Sequence, residues 1–298
     1  DGYNVAVGQH AGYAMTTGVG NTIVGGLAGD AITTGSENSF VGKNAGTNTT
    51  VGSYNEAIGS GALFSNVDGS RSIAIGTNAL YTQDPASTID MYNIGIGMYA
   101  GRYITTGVQN TLIGGLAGDA LTTGTQNVAV GYFALSAEDT NSANVAVGNK
   151  ALQALNAGAD GYNVAVGHET GMNMSTGIYN TLIGAQAGDA LTTGARNTAL
   201  GYGTLSTEDG HGRCVAVGYY ALRLQDAGAE VYNVAVGYQA GMAITTGSSN
   251  TILGGLAGDA LTAGGGNVAV GTQALSTEDD HSFNTAVGAR ALETLNAG

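Results

Sequence analysis

The chain has 298 residues, 52 of them glycine and one proline, with 8 basic against 22 acidic side chains and a net charge of −14. Glycine is more than twice the roughly 7% usual in globular proteins, yet no Gly triplet runs through the chain, which excludes collagen, and 43% apolar residues are too many for a disordered tract. The acidic balance repels phosphate backbones, so nucleic acid is not an expected partner, and no run of about 18 apolar residues exists to insert in a membrane.

Read in order, the chain is one short unit repeated. With an Asn at position one, coils begin at residues 4, 21, 38, 55, 72, 93, 110, 127, 144, 163, 180, 197, 214, 233, 250, 267 and 284. The spacing is 17 residues, stretched to 21 after residue 72 and to 19 after residues 144 and 214. A fixed short period means a solenoid, in which each unit buries its apolar face on its neighbours. The expected fold is an all-β parallel β-solenoid of about 17 coils. It forms a single repeat domain over residues 1–298, with superunits 4–92, 93–162, 163–232 and 233–298. At about 4.8 Å per coil the rod would be roughly 80 Å long. The opening DGYN recurs at Asp160–Asn163 and the closing LNAG at Leu155–Gly158, so the chain is expected to be an excerpt of a longer fibre.

Each position has a physical reading. Position five is Gly in every coil, from Gly8 to Gly288, which points to a backbone conformation or close approach that a side chain would forbid. Positions two to four read as a short strand. Position four is always Val, Ile or Leu, so positions two and four are expected inside and position three outside. Ile113, Val130, Val147 and Val166 should then stack in one line in the core, and Val147→Asp should cost several kcal/mol. The Asn at position one suits a strand-entry turn and should form an amide ladder along the array. Position nine runs Gly, Gly, Leu, Leu from Gly101 onward, and the Gly coils mostly carry a large apolar residue at position twelve, such as Ile104 or Leu121. One core slot filled from either of two places conserves packed volume. The first block instead has three Gly coils, at Gly12, Gly29 and Gly46. The segments ALQALNAG and ALETLNAG are too short for stable helices and belong to the return path.

Chemistry is sparse. GGLAGDAI at Gly25–Ile32, with its relatives at 114–121 and 254–261, resembles a calcium-binding nonapeptide, with Asp30, Asp119 and Asp259 in the ligand place. These acids recur only after four or more coils, too far apart to share an ion. Gly95-Ile-Gly97 lacks the helix of a dinucleotide site. His10, His168, His211 and His281 fall at different places in their coils, and His211 with the single Cys214 has no orienting acid. The pairs Glu138-Asp139, Glu208-Asp209 and Glu278-Asp279 read as solvated turns whose adjacent acids point apart. The Thr-Thr-Gly turns come in two coils that alternate with two acidic or Asn-Ala-Gly coils, which breaks the continuous threonine array an ice-binding face would need. No catalytic residues, cofactor-binding residues, cofactors or metal ligands are expected, and the chain reads as non-enzymatic. The 82–92 insertion is the one candidate recognition loop, with Tyr81, Asp84 and Asp90 as its aromatic and polar groups.

NVAVGYQAG at Asn233–Gly241 and NTALGYGTL at Asn197–Leu205 resemble the repeats of phage tail fibres. Asn55-Glu-Ala-Ile-Gly59 and Ser72-Ile-Ala-Ile-Gly76 are similar to repeats in the heads of trimeric autotransporter adhesins. The resemblance implies a left-handed β-roll, a homotrimer, and display outside the cell on a virion tail fibre or a cell surface. A 17-residue coil also has room for too few inward side chains to offset its own ordering. Position three, mostly Ala (Ala6, Ala129, Ala146) with larger Ile23, Leu112, Leu182 and Ile252, is expected to supply the chain-to-chain face. The function expected is a structural segment of an extracellular attachment fibre, of the phage tail-fibre type, spacing a receptor-binding tip. An adhesin head is the alternative, and an ice-binding or carbohydrate-binding solenoid ranks lower. Its partners would be two further copies of itself and, through flanking domains, a host or cell-surface receptor.

Overall fold

The computed structural model describes residues 2–210, 212–277 and 280–295. The fold is a parallel β-solenoid with a period of about 17 residues, and the described residues contain no helix. Contacts divide the chain into two compact units, Asp1–Asn144 with Gly158–Asp160, and Val145–Ala157 with Gly161–Gly298. The first carries β1 (Val5–Val7), β2 (Thr22–Val24), β3 (Ser39–Val41), β4 (Glu56–Ile58), β5 (Ile73–Ile75), β6 (Ile94–Ile96), β7 (Thr111–Ile113) and β8 (Val128–Val130). The second carries β9 (Val145–Val147), β10 (Val164–Val166), β11 (Thr181–Ile183), β12 (Thr198–Leu200), β13 (Val215–Val217), β14 (Val234–Val236), β15 (Thr251–Leu253), β16 (Val268–Val270) and β17 (Thr285–Val287). Within each unit successive strands pair in parallel with equal positions in register, as Leu112 with Ala129 and Ala165 with Leu182.

The facing of the strands is the reverse of the sequence expectation. Position three is buried in β2 through β17, whereas positions two and four are exposed or half-buried. Ile113 is 37% exposed and Val130, Val147 and Val166 are half-buried, while Leu112, Ala129, Ala146 and Ala165 have no exposed surface. Leu112, Leu182, Ile23 and Ile252 are therefore core residues and cannot be the outer anchors of an oligomer. The reason is room. The narrow coil interior also receives the side chains of positions one, eight, and nine or twelve, so a three-residue strand can send in one side chain, usually a small one. The β-branched residues at two and four suit the pleated outer surface.

Position five behaves as its invariance requires. Gly114 has φ of +133°, and a Cβ there would lie 2.5 Å from the Gly131 carbonyl oxygen. Both the left-handed backbone and the coil-to-coil approach exclude a side chain. The asparagines form the expected ladder. Asn110 N–H donates to Asn93 Oδ1 at 2.9 Å, and Asn110 Nδ2 donates to the Gly124 carbonyl at 2.9 Å. The two coils that lack this Asn, at Ser72 and Cys214, carry a buried Gln at position twelve. Gln83 donates to Ser72 Oγ and accepts from Asn93 Nδ2 at 2.9 Å each, and Gln225 Oε1 accepts from Asn233 Nδ2 at 2.5 Å.

The shared core slot is also present. A Cβ on Gly101 or Gly118 would lie 2.7 Å from a δ-carbon of Leu112, and the one on Gly118 would lie 2.9 Å from Leu121 Cδ1. Leu112 thus fills space left by glycine in its own coil and the one before. The extra Gly coil of the first block has only Thr49 at position twelve. Phe40 fills it instead, 2.5 Å from where a Gly46 Cβ would sit.

Candidate functional site

One candidate surface is the outer strand face. In each unit positions two and four line up coil after coil, pairing Ile73 with Ile94 and Ile75 with Ile96 in the first, and Val164 with Thr181 and Val166 with Ile183 in the second. Ile58, Ile113, Ile183, Leu200, Val236 and Leu253 are each 37% exposed or more. Other aliphatics at position four, among them Val130, Val147, Val166 and Val217, are half-buried. Thr, Ser and Glu56 alternate with the aliphatics at position two, so the face is mixed rather than uniformly apolar.

In the 82–92 insertion each of the three candidate residues has partners of its own. Tyr81 stacks on Phe64 with centroids 4.9 Å apart. Exposed Asp84 accepts from Val67 N–H at 3.2 Å. Asp90 bridges to Ser70, pairs with Arg71 Nε at 3.0 Å, and accepts from Tyr92 Oη at 3.1 Å. The same clip recurs at the second 19-residue coil, where Arg213 pairs with Glu230 at 2.6 Å and Tyr232 Oη donates to Glu230 at 3.2 Å. Its signal was legible as Asp90-Met-Tyr92-Asn93 and Glu230-Val-Tyr232-Asn233, an acid and a tyrosine closing each lengthened coil. The clip ties a longer coil back into register.

The recurrent acids differ from expectation in one respect. In the two described pairs Asp209 is exposed and Asp139 half-buried, but Glu138 has no exposed surface and Glu208 is 1% exposed. Glu278 and Asp279 lie outside the described residues. Glu138 Oε1 accepts from Asp139 and Asn141 N–H, both at 3.1 Å, while Oε2 is buried without a hydrogen bond. Burial raises its pKa to about 7 against the opposing backbone hydrogen bonds. Carboxylate oxygens of Glu208, Asp209 and Asp226 lie within 4.8 Å of one another. Two of these acids are exposed, and three carboxylates fall short of the six to eight oxygens that calcium takes, so the group reads as a turn. Burial, and secondarily the charge of Glu208, raises the Cys214 thiol to about 12, far from a reactive thiolate. Burial likewise raises Asp119 and Asp259, whose Oδ1 atoms lack hydrogen bonds. His10 stacks on Tyr13 and His168 faces Glu169 at 3.9 Å, while His211 lies outside the described residues.

No protein-family model and no curated protein matches the chain. Among the described residues no helix is long and apolar enough to cross a membrane. The reading of function therefore rests on the surfaces above and on the repeat itself.

Proposed function

We propose that this solenoid is a structural segment of an extracellular attachment fibre, of the phage tail-fibre type. Three parallel copies associate through their outer strand faces, and the fibre holds a receptor-binding region away from its base. The observation that carries the reading is the exposed aliphatic array at positions two and four, repeated coil after coil. Completing the burial of a side chain like Ile113 contributes roughly 1 kcal/mol, which is small alone and large when summed along the repeat. The number three comes from the resemblance of the NVAVGYQAG-type repeats to trimeric fibres. The acidic surface keeps such a particle soluble and apart from nucleic acid.

Light scattering on the purified chain tests this. The expected mass is three times 29.5 kDa. Ile113→Glu with Ile183→Glu, which alter only the outer face, should leave the coil folded and give the single-chain mass. A folded single-chain species of the unaltered sequence at micromolar concentration would end the reading.

A further inference from the structure

We propose that a slot in the second unit, lined by Ser248, Ser249, Gly265, Gly266, Ser282 and Phe283, is a binding site for a neutral pyranose of a glycan. The slot exists because coil 250 lacks two side chains that its counterparts have. At positions sixteen and seventeen the other second coils carry Ser36-Glu37, Thr125-Gln126 and Ala195-Arg196, where this one carries Gly265-Gly266. In several coils the position-sixteen hydroxyl accepts an N–H from the coil before, as Ser36 does from Val19, Ser53 from Ser36 and Ser142 from Thr125, each at 3.1 Å. With Gly265 in that place, Ser248 N–H has no acceptor among the described residues. The missing pair leaves a cleft of about 340 Å³.

Its walls are held firmly. Gly266 N–H donates to Ser248 O at 2.9 Å, Phe283 N–H to Gly265 O at 2.9 Å, and Gly265 N–H to Ser282 Oγ at 3.0 Å. Phe283 is 87% exposed, a large cost for an aromatic ring, and a Cβ on Gly266 would lie 2.8 Å from it. An aromatic face beside three serine hydroxyls and an unmet backbone donor matches a pyranose ring, which presents an apolar C–H face and a rim of hydroxyls. No charged side chain lines the slot, and the chain carries a net charge of −14, so a neutral sugar fits and an acidic one is repelled. This inference is independent of the fibre reading, since the slot lies within one chain.

The test is NMR titration of the full chain, in its native assembly state, with methyl glycosides of glucose, galactose, mannose and N-acetylglucosamine, and with N-acetylneuraminic acid as the anionic arm. At least one neutral glycoside should shift the Ser248 and Gly265 amides saturably. Phe283→Ala should weaken it at least tenfold. Gly265→Ser restores the residue used at Ser36 and should abolish binding while the thermal midpoint stays at or above that of the parent. The proposal fails if no neutral glycoside saturates these shifts, if only the anionic sugar does, or if both variants bind as the parent does. It also fails if Gly265→Ser changes the assembled mass, which would make the slot a contact between chains.

Discussion

Glu138 makes stability depend on pH in a way that one substitution should remove. The carboxyl is fully buried at position twelve, with Oε1 held by two backbone N–H groups and Oε2 by none. Its pKa rises from 4.5 to about 7, chiefly because burial disfavours the charged form, with Asp139 adding a smaller like-charge effect. An acid raised in the folded state binds its proton more tightly folded than unfolded. Its contribution is therefore complete below about pH 4.5 and is lost as pH climbs through about 7. The full change is worth about 3 kcal/mol. Glu138→Gln tests it, because Gln83 and Gln225 occupy the same position, fully buried, in other coils. Denaturant unfolding from pH 4.5 to 8.5 should show the parent losing about 3 kcal/mol more than the variant across that range. Asp119, Asp189 and Asp259 shift in the same direction and are common to both proteins, so the difference isolates Glu138. Parallel pH profiles would show that the folded carboxyl reaches water or finds a partner.

Strand facing is tested by neighbours: Leu112→Glu should cost about 3–5 kcal/mol as an uncompensated buried charge, while Ile113→Glu should change the chain's own unfolding by under about 1 kcal/mol, both read by denaturant midpoint. Gly114→Ala should destabilise by at least about 2 kcal/mol, since its Cβ meets the Gly131 carbonyl at 2.5 Å. Thermal melts showing no loss would mean that the coils separate freely there. Gln83→Leu should cost about 1–3 kcal/mol by stranding buried polar groups. Ser72→Asn in the same chain should restore most of it, because the pair then matches Asn144 with Leu155. An additive double mutant would refute the exchange of roles.

The period, the three-residue strands, the position-five glycines and the asparagine ladder were legible because each depends on backbone geometry repeated in every coil. Which face turns inward was not. The rule that large aliphatics mark the inside assumes an interior wide enough to hold them, and a coil that also admits Asn127, Ala134 and Leu135 has room for little more than Ala129 at position three. Glu138 departs from the expected solvated turn for a related reason. A charged residue next to another acid looks solvated, and only alignment of position twelve with Ile104, Leu121 and Leu155 reveals that its side chain must enter the core. Departure from the period singles out Tyr81, Asp84 and Asp90, and it equally marks the coil that Asp90 ties to Arg71.

The coupling of neighbouring coils reflects the same shortage of interior room. Each coil must fill a fixed volume and meet a fixed set of amide hydrogen bonds, but several residues can supply either. Volume moves from Leu135 at position nine to Leu121 at position twelve, with Leu112 reaching across two glycines. Hydrogen bonding moves from Asn at position one to Gln83 or Gln225 at position twelve. Position twelve serves both exchanges: a large apolar residue there accompanies most of the Gly coils, Gln accompanies a defective position one, and in coil 144 Leu155 sits beside Leu152 with Asn144 in place. A buried Glu there satisfies neither need fully, and it leaves Oε2 without a partner. Conservation of volume and of hydrogen bonds thus couples positions one, nine and twelve within and between neighbouring coils. The outer face is free of both constraints, so Val, Ile, Thr, Ser and Glu56 can vary there at no cost to the coil, and what that face contacts can be selected separately from what holds each chain together.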